Sequence, residues 1–167
     1  MKPIQALLKT DNHSAQLIAR LTLAAVMFPH GAQKALGWFG GYGFSGTMNF
    51  FTQQMHVPAP LAFLAIAAEF AGSIGLLVGC LSRVAAFGIA TNMAVAILTV
   101  HAANGFFMNW YGNQKGEGFE YHLLVLGLAL TVIISGGGKW SIDRLLGGRL
   151  SLQNVRSQEA PKVARAI

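Results

Sequence analysis

Long apolar runs alternate with short polar, glycine-rich segments along the chain. A helix that crosses the hydrocarbon layer of a membrane needs about 20 mostly apolar residues, within a range of roughly 17 to 25. Four runs meet this requirement, at residues 16–36, 61–81, 84–101 and 119–136. The pattern therefore predicts an all-α membrane protein, built as a bundle of four transmembrane helices.

The amino-acid composition supports a membrane environment and excludes other classes of protein. The chain is 53% hydrophobic and only 11% charged, whereas charged residues make up about a quarter of an ordinary soluble domain. A single cysteine, Cys80, excludes a disulfide-stapled fold and a CxxC redox relay. Twenty glycines and few charge pairs disfavour a coiled coil.

The basic residues are distributed as expected for a membrane protein rather than for a nucleic-acid-binding protein. The net charge is +6, but the basic residues form no face interleaved with aromatic residues. Ten of the twelve fall on one predicted side of the bundle: Lys2, Lys9, Arg20, Arg83, Lys139, Arg144, Arg149, Arg156, Lys162 and Arg165. By the positive-inside rule, both termini are expected to be cytoplasmic and the loops 37–60 and 102–118 to face outward.

This topology predicts three regions. Residues 1–15 form a cytoplasmic lead-in, residues 16–147 form the membrane domain, and residues 148–167 form a polar, basic cytoplasmic tail. Arg20 and Lys34, near the ends of the first helix, are expected to reach the lipid headgroups, and Arg83 is expected to anchor a turn there. Pro29 is expected to kink the first helix.

Six titratable side chains are predicted to lie at similar depth in the outer half of the bundle. Placing an ionised side chain in the hydrocarbon centre of a membrane costs roughly 2.5 to 3.5 kcal/mol, so each such residue is expected to have a structural or functional role. The six are His30, Lys34, Glu69, His101, Glu120 and His122. They are candidates for a shared polar site below the outer surface.

Polar side chains also hold transmembrane helices together, and this structural explanation is kept as an alternative. A pair between Lys34 and Glu120, or between His30 and Glu69, would serve that purpose. The same role is predicted for three further polar residues: Ser73, Thr91 and Asn92. Close helix packing is predicted at small residues: Gly75, Gly79, Gly88 and Gly127.

Several segments together resemble the DoxX family of small bacterial four-helix membrane proteins. They are HGAQK at the end of the first helix, PAPLA before the second, the turn GCLSR, the outer GEGFEYHLL and the closing GGGKWSIDRLL. The resemblance extends over about residues 17–146. It implies a multi-pass protein of the bacterial inner membrane that is associated with redox systems.

The resemblance also implies a link to quinones, because the family's namesake is similar to a subunit of a thiosulfate:quinone oxidoreductase. His30, Lys34, Glu69 and Glu120 match recurring polar positions of the family, whereas His101 is typical of only some members. The leading hypothesis is a membrane subunit of a quinone-dependent oxidoreductase. The expected catalytic residues are Glu69, His30, Lys34 and Glu120, and the expected cofactor contacts are His30, Lys34, His101, Trp38 and Trp110.

In this hypothesis His30 and Lys34 polarise the quinone carbonyls, and the two glutamates pass protons from the outer face. No NAD or FAD fingerprint, iron–sulfur spacing or haem-attachment motif is present in the sequence. Any redox chemistry would therefore need a redox partner protein or a bound cofactor.

Three other functions remain open from the sequence. The first is a small proton-coupled permease or channel in which Glu69 binds a cation or a proton. The second is a non-catalytic scaffold in the lipid bilayer whose basic tail docks a cytosolic partner protein or anionic lipid. The third, less favoured, is a haem held by His30 and His101, and no metal site is otherwise predicted. A homo-oligomer is compatible with the small-residue helix faces.

Overall fold

The computed structural model describes residues 3–150, and within this range the chain forms helices, turns and loops but no strands. The helices are α1 (Pro3–Leu8), α2 (Ser14–Leu36), α3 (Gly43–Asn49), α4 (Ala59–Val78), α5 (Ser82–Ala96), α6 (Glu120–Ser135) and α7 (142–150). Two π-helical turns continue α3 and α5, at Phe50–Gln54 and Ile97–His101. The predicted tail lies outside the described residues from position 151 onward.

Four long helices form the body of the molecule. α2 packs against α4, α4 against α5, α5 against α6, and α6 closes back onto α2. Their shared core contains Leu23, Met27, Leu76, Ile89 and Val125, all of which are almost completely buried. The positions of these four helices agree with the four apolar runs in the sequence, and α2 continues through Pro29 without a break.

The outward faces of the helices are also apolar. Ile18, Phe87, Leu98, Leu124 and Ile134 are each more than 60% exposed, which suits a surrounding of lipid rather than water. Two helical segments are long and apolar enough to cross a membrane, Ala59–Val78 and Ser82–Asn104. α6 is apolar but has only 16 residues, and α2 carries Arg20 and Lys34, so four spans stay a prediction.

The two ends of the bundle differ. At one end, here the loop end, lie the connections of residues 37–58 and 102–119. We call the other end the terminal end, and there α1 and α7 pack together. Leu8 of α1 is buried, and its carbonyl oxygen lies 3.2 Å from the position that a Cβ on Gly147 of α7 would occupy. Both described ends of the chain therefore meet at the same end of the bundle, and the side of the membrane that it faces stays a prediction.

Arg20 lies inside the terminal end rather than among lipid headgroups, so the interpretation of this side chain as a headgroup anchor is wrong. It is 1% exposed. Its guanidinium donates hydrogen bonds to the carbonyl oxygens of Leu77 and Gly137, both at 2.8 Å, and also to that of Leu76. Leu76 and Leu77 lie in the last turn of α4, where carbonyl oxygens are short of backbone donors; that of Leu76 also accepts from the N–H of Gly79 at 3.2 Å, and the buried guanidinium adds the missing donors.

Arg83 makes a similar set of contacts, so its predicted role as a simple headgroup anchor is also wrong. Its guanidinium donates to the carbonyl oxygen of Lys9 at 2.9 and 3.2 Å and to that of Ile133. Asp143, which is 1% exposed, accepts hydrogen bonds from the backbone N–H groups of Leu81 and Ser82 at 2.7 and 2.8 Å. These contacts bind the lead-in and α7 to the bundle.

The predicted small-residue contacts are found at some positions and not at others. A Cβ on Gly88 would lie 3.0 Å from the Cβ of Ala68, so α4 and α5 pack closely there. Gly79 ends α4 with a φ of 69° and packs against Ser141. Gly127, in contrast, faces open space, and its predicted packing role is wrong.

Candidate functional site

A lysine of α2 and a glutamate of α4 form an ion pair between the helices. The Nζ atom of Lys34 lies 2.5 Å from Oε2 of Glu69. The glutamate side chain is 7% exposed and the lysine side chain 28%. A buried carboxylate needs a partner of opposite charge or several hydrogen bonds, and Lys34 supplies the charge.

A glycine allows the two helices to approach at this point. A Cβ on Gly31 would lie 2.6 Å from the backbone nitrogen of Phe70 and 2.7 Å from the carbonyl carbon of Glu69. No other residue fits there without moving the backbone of α4. Lys34 lies three positions after Gly31, on the same face of α2, so the close approach brings its side chain to Glu69.

A third helix contributes an amide to the pair. Nδ2 of Asn92, on α5, donates to the carbonyl oxygen of Ala65 at 2.7 Å and lies 3.4 Å from Oε1 of Glu69. The predicted role of Asn92 as a polar contact between helices is confirmed. Ser73 and Thr91 instead donate to carbonyls of their own helices, those of Phe70 and Phe87, so the same prediction is wrong for them.

The structure contains a different ion pair from the two pairings that the sequence suggested. Lys34 pairs with Glu69 rather than with Glu120, and no hydrogen bond joins His30 to Glu69 among the described residues. Sequence alone gives the depth of each residue but not the face of the helix on which it lies.

Lys34 also lines a cavity at the loop end. The cavity has a volume of about 260 Å³. Its wall is formed by Gln33, Lys34, Gly40, Gly41, Tyr42, Thr47, Phe50 and Phe51. One side chain thus contacts both the buried carboxylate and a partly open space that three aromatic side chains help to line.

The loop after α2 shapes this cavity through a second glycine. A Cβ on Gly41 would lie 2.5 Å from the Cα of Gln33. The loop therefore rests directly on the last turns of α2, and Nε2 of Gln33 donates to the carbonyl oxygen of Phe39 at 3.2 Å. This contact folds the aromatic segment of residues 42–51 over Lys34.

A row of aromatic, titratable rings leads from His30 to the loop end. The ring centroids of His30 and Tyr121 are 5.9 Å apart, those of Tyr121 and His122 5.5 Å, and those of His122 and His101 4.1 Å. Nδ1 of His101 lies 2.8 Å from the carbonyl oxygen of Glu117. His122 is 6% exposed, and its Nδ1 has no hydrogen-bond partner among residues 3–150.

The sequence analysis did not name Tyr121 as a site residue, and it named Asn92 only as a contact between helices. Tyr121 follows Glu120 directly, and a lone tyrosine at a helix start looks like an interfacial aromatic residue. Its hydroxyl group instead faces inward and lies 3.8 Å from the sulfur of Met27. Only the packing of α6 against α2 shows this.

Glu120 holds the loop between α5 and α6 and takes no part in the Lys34–Glu69 pair. Its Oε1 accepts hydrogen bonds from the backbone N–H of Met108 at 2.9 Å and from Nε1 of Trp110 at 3.3 Å.

Trp110 is 80% exposed and Trp38 is 53% exposed, and neither lines the cavity. The aromatic wall comes from Tyr42, Phe50 and Phe51 instead.

The described residues form a cavity with polar and aromatic lining but no cluster of metal-binding side chains. Among them, no group of three or more His, Cys, Asp or Glu side chains is arranged to hold a metal. His30 is exposed and faces Tyr121, whereas His101 stacks on His122. The cavity beside Lys34 provides an ammonium, a side-chain amide and aromatic rings.

Comparison with known proteins identifies relatives of the chain. It is 33% identical over 110 residues to the protein named "Inner membrane protein YqjF" from Escherichia coli (strain K12), an alignment that covers 66% of this chain and 79% of the relative. No solved structure matches the chain. The model of the DoxX family matches residues 15–102, which contain the Lys34–Glu69 pair, Asn92 and His101. The chain is therefore an integral membrane protein that belongs to the DoxX family.

Proposed function

We propose that this protein is a membrane subunit of a quinone-dependent oxidoreductase, and that it binds the quinone head group in the cavity beside Lys34. The observation that supports this most directly is the position of Lys34. Its ammonium pairs with the buried carboxylate of Glu69 at 2.5 Å and also forms part of the cavity wall. A ligand in the cavity is thus in contact with a buried pair that can exchange protons.

The size and lining of the cavity suit one ring. Pockets for drug-sized ligands typically measure roughly 300 to 1,000 Å³, and this cavity is slightly smaller at about 260 Å³. It therefore suits a single head group rather than a dinucleotide. Tyr42, Phe50 and Phe51 provide stacking surfaces, and polar donors at one side provide orientation.

Each polar residue has a distinct role in this proposal. A bound quinone supplies two-electron chemistry that also consumes two protons, with the electrons delivered by a separate redox partner protein. Lys34 donates a hydrogen bond, and then its proton, toward a carbonyl oxygen in the cavity. The carboxylate of Glu69 takes up a proton from the outer water and passes it to the neutral lysine, so that two such cycles supply both protons. Asn92 positions Glu69 through its amide group.

The location and topology belong to the same proposal. The relative from Escherichia coli is named an inner membrane protein, and we place this chain in the bacterial inner membrane with four spans. The terminal end carries Lys9, Lys139, Arg144 and Arg149, so it should face the cytoplasm. The cavity beside Lys34 then opens toward the outer side.

The proposal is tested by quinone retention. The full-length protein would be purified from bacterial membranes in a mild detergent, and its bound quinone extracted and quantified. We expect close to one quinone per chain for the wild type and at least a ten-fold loss for Lys34→Gln and Glu69→Gln. Glu117→Gln, a change of an exposed loop carboxylate, is the matched control and should retain the ligand.

A wild type that holds no more quinone than an unrelated membrane protein would contradict the proposal. Equal retention by Glu69→Gln, with normal folding, would assign the pair to helix packing instead.

A proton-coupled permease is the second candidate, and the row of rings from His30 to His101 favours it. Ring centroids 4.1 to 5.9 Å apart place neighbouring rings in direct contact. Within the described residues Nδ1 of buried His122 has no hydrogen-bond partner, which leaves a position for a water molecule. In liposomes, proton flux that is lost in His122→Phe while quinone retention stays normal would favour this function. Absence of flux in the wild type would exclude it.

A further inference from the structure

A groove at the terminal end contains charged groups that the proposed function does not use. It runs between α1 and α7 and has a volume of about 430 Å³. We call it the α1–α7 groove, and its lining includes Gln5, Leu8, Lys9, Thr10, Arg144 and Gly147. It lies at the opposite end of the bundle from the cavity beside Lys34.

The groove carries two positive charges. The side chains of Lys9 and Arg144 are exposed, and within residues 3–150 neither takes part in an ion pair. The two nearest acids in sequence are Asp11 and Asp143, and Asp143 is turned inward to Leu81 and Ser82. Gln5 adds a side-chain amide, so the groove presents a cationic, hydrogen-bonding surface.

The residues next to the groove are apolar and exposed. Leu7 on α1 is 42% exposed, and Leu145 on α7, which follows Arg144 directly, is 69% exposed. Trp140, just before α7, is 84% exposed. A tryptophan and exposed leucines beside basic side chains are typical of the interface between lipid headgroups and acyl chains.

The position of the groove is fixed by internal contacts. The carbonyl oxygen of Lys9 accepts two hydrogen bonds from Arg83, and the hydroxyl group of Thr10 accepts one from the N–H of Gly138 at 2.6 Å. The backbone that carries Lys9 is therefore attached to the bundle. The backbone N–H of Arg144 is likewise held, by the hydroxyl group of Ser141 at 3.3 Å, so the fold sets the backbone positions of both basic residues before a ligand binds.

We propose that the α1–α7 groove binds the phosphate headgroup of an anionic phospholipid, with Lys9 and Arg144 as the cationic contacts. Its acyl chains lie along the exposed leucines that flank the groove. The tail from residue 151 is a poorer occupant, because it carries Arg156, Lys162 and Arg165 against the single acid Glu159, and these charges repel the groove.

The test compares two variants of equal net charge in the full-length protein. Lys9→Gln/Arg144→Gln removes the groove cations, and Lys139→Gln/Arg149→Gln removes two other basic residues at the same end. Phosphatidylglycerol and phosphatidylcholine are titrated into the detergent-solubilised protein, and bound lipid is counted by native mass spectrometry. Each basic contact is worth about five-fold in affinity at a membrane surface, so the groove variant should bind phosphatidylglycerol at least ten-fold more weakly.

The control variant should stay within two-fold of the wild type, and phosphatidylcholine binding should be the same in all three proteins. An equal loss in both variants would overturn the proposal, because it would reduce the effect to net charge. Competition by millimolar inorganic phosphate that removes the lipid completely would overturn the assignment to a membrane lipid. A carbodiimide cross-link between Lys9 and Glu159 that persists in phosphatidylglycerol vesicles would place the tail in the groove and also overturn it.

Discussion

Lys34 and Glu69 are 35 positions apart in the chain, yet Nζ of the lysine lies 2.5 Å from Oε2 of the glutamate. Gly31 makes this possible, because α2 touches the backbone of α4 there without an intervening side chain. The pair thus depends on two features, opposite charge and the absence of a Cβ three residues earlier.

The first prediction concerns the strength of this pair. In a double-mutant cycle with Lys34→Met and Glu69→Gln, the two residues should couple by about 0.5 to 3 kcal/mol, the range found for contacting residues. The lysine side chain is 28% exposed, so solvent screening should keep the value below that of a fully buried pair. Thermal unfolding in detergent measures it, and Lys115→Met with Glu69→Gln should show no coupling.

The second prediction concerns the helix contact. Gly31→Ala should destabilise the protein by about 1 to 3 kcal/mol, the usual cost of overpacking a close contact. The added Cβ would lie 2.6 Å from the backbone of Phe70, so the helices must separate and quinone retention should fall too.

Gly127→Ala is the matched control, because it is also in a helix but faces open space. It should be neutral or stabilise α6 by about 0.4 to 1 kcal/mol. An equal loss in the two variants would show that the contact of Gly31 with Phe70 is not the cause of the destabilisation.

The third prediction concerns Arg20. Arg20→Gln should cost about 3 to 5 kcal/mol, as expected when one partner of a buried polar network is removed. The carbonyls of Leu76, Leu77 and Gly137 lose their donor, and the terminal end should unfold at a lower temperature. Arg149→Gln, at an exposed position, should change stability by less than about 0.5 kcal/mol. A stable Arg20→Gln protein would show that water replaces the guanidinium.

The fourth prediction concerns the loop between α5 and α6. Glu120→Ala removes the acceptor for the Met108 N–H and for Trp110. Hydrogen exchange at Met108 should become faster, because its backbone N–H loses its acceptor. Quinone retention should change by less than two-fold, since Glu120 is separate from the Lys34–Glu69 pair. A ten-fold loss would restore Glu120 to the site.

The amino-acid sequence determined the helices and the polar candidates, because both follow from local properties. Apolar runs of membrane length place α2, α4, α5 and α6, and the cost of burying charge selects Lys34 and Glu69. The family could also be recognised from short segments of the sequence.

Tertiary structure alone decided the partners. The depth of a residue along its helix follows from counting residues in the sequence. Which neighbouring helix its side chain faces depends on the rotation of each helix about its axis and on the distance between helices, and these are set by contacts such as that of Gly31 with Phe70. For this reason Lys34 meets Glu69 rather than Glu120, and Arg20 satisfies helix-end carbonyls inside the protein instead of reaching lipid. The contact of Tyr121 with His30 and the groove between α1 and α7 likewise form only once separate helices have packed together.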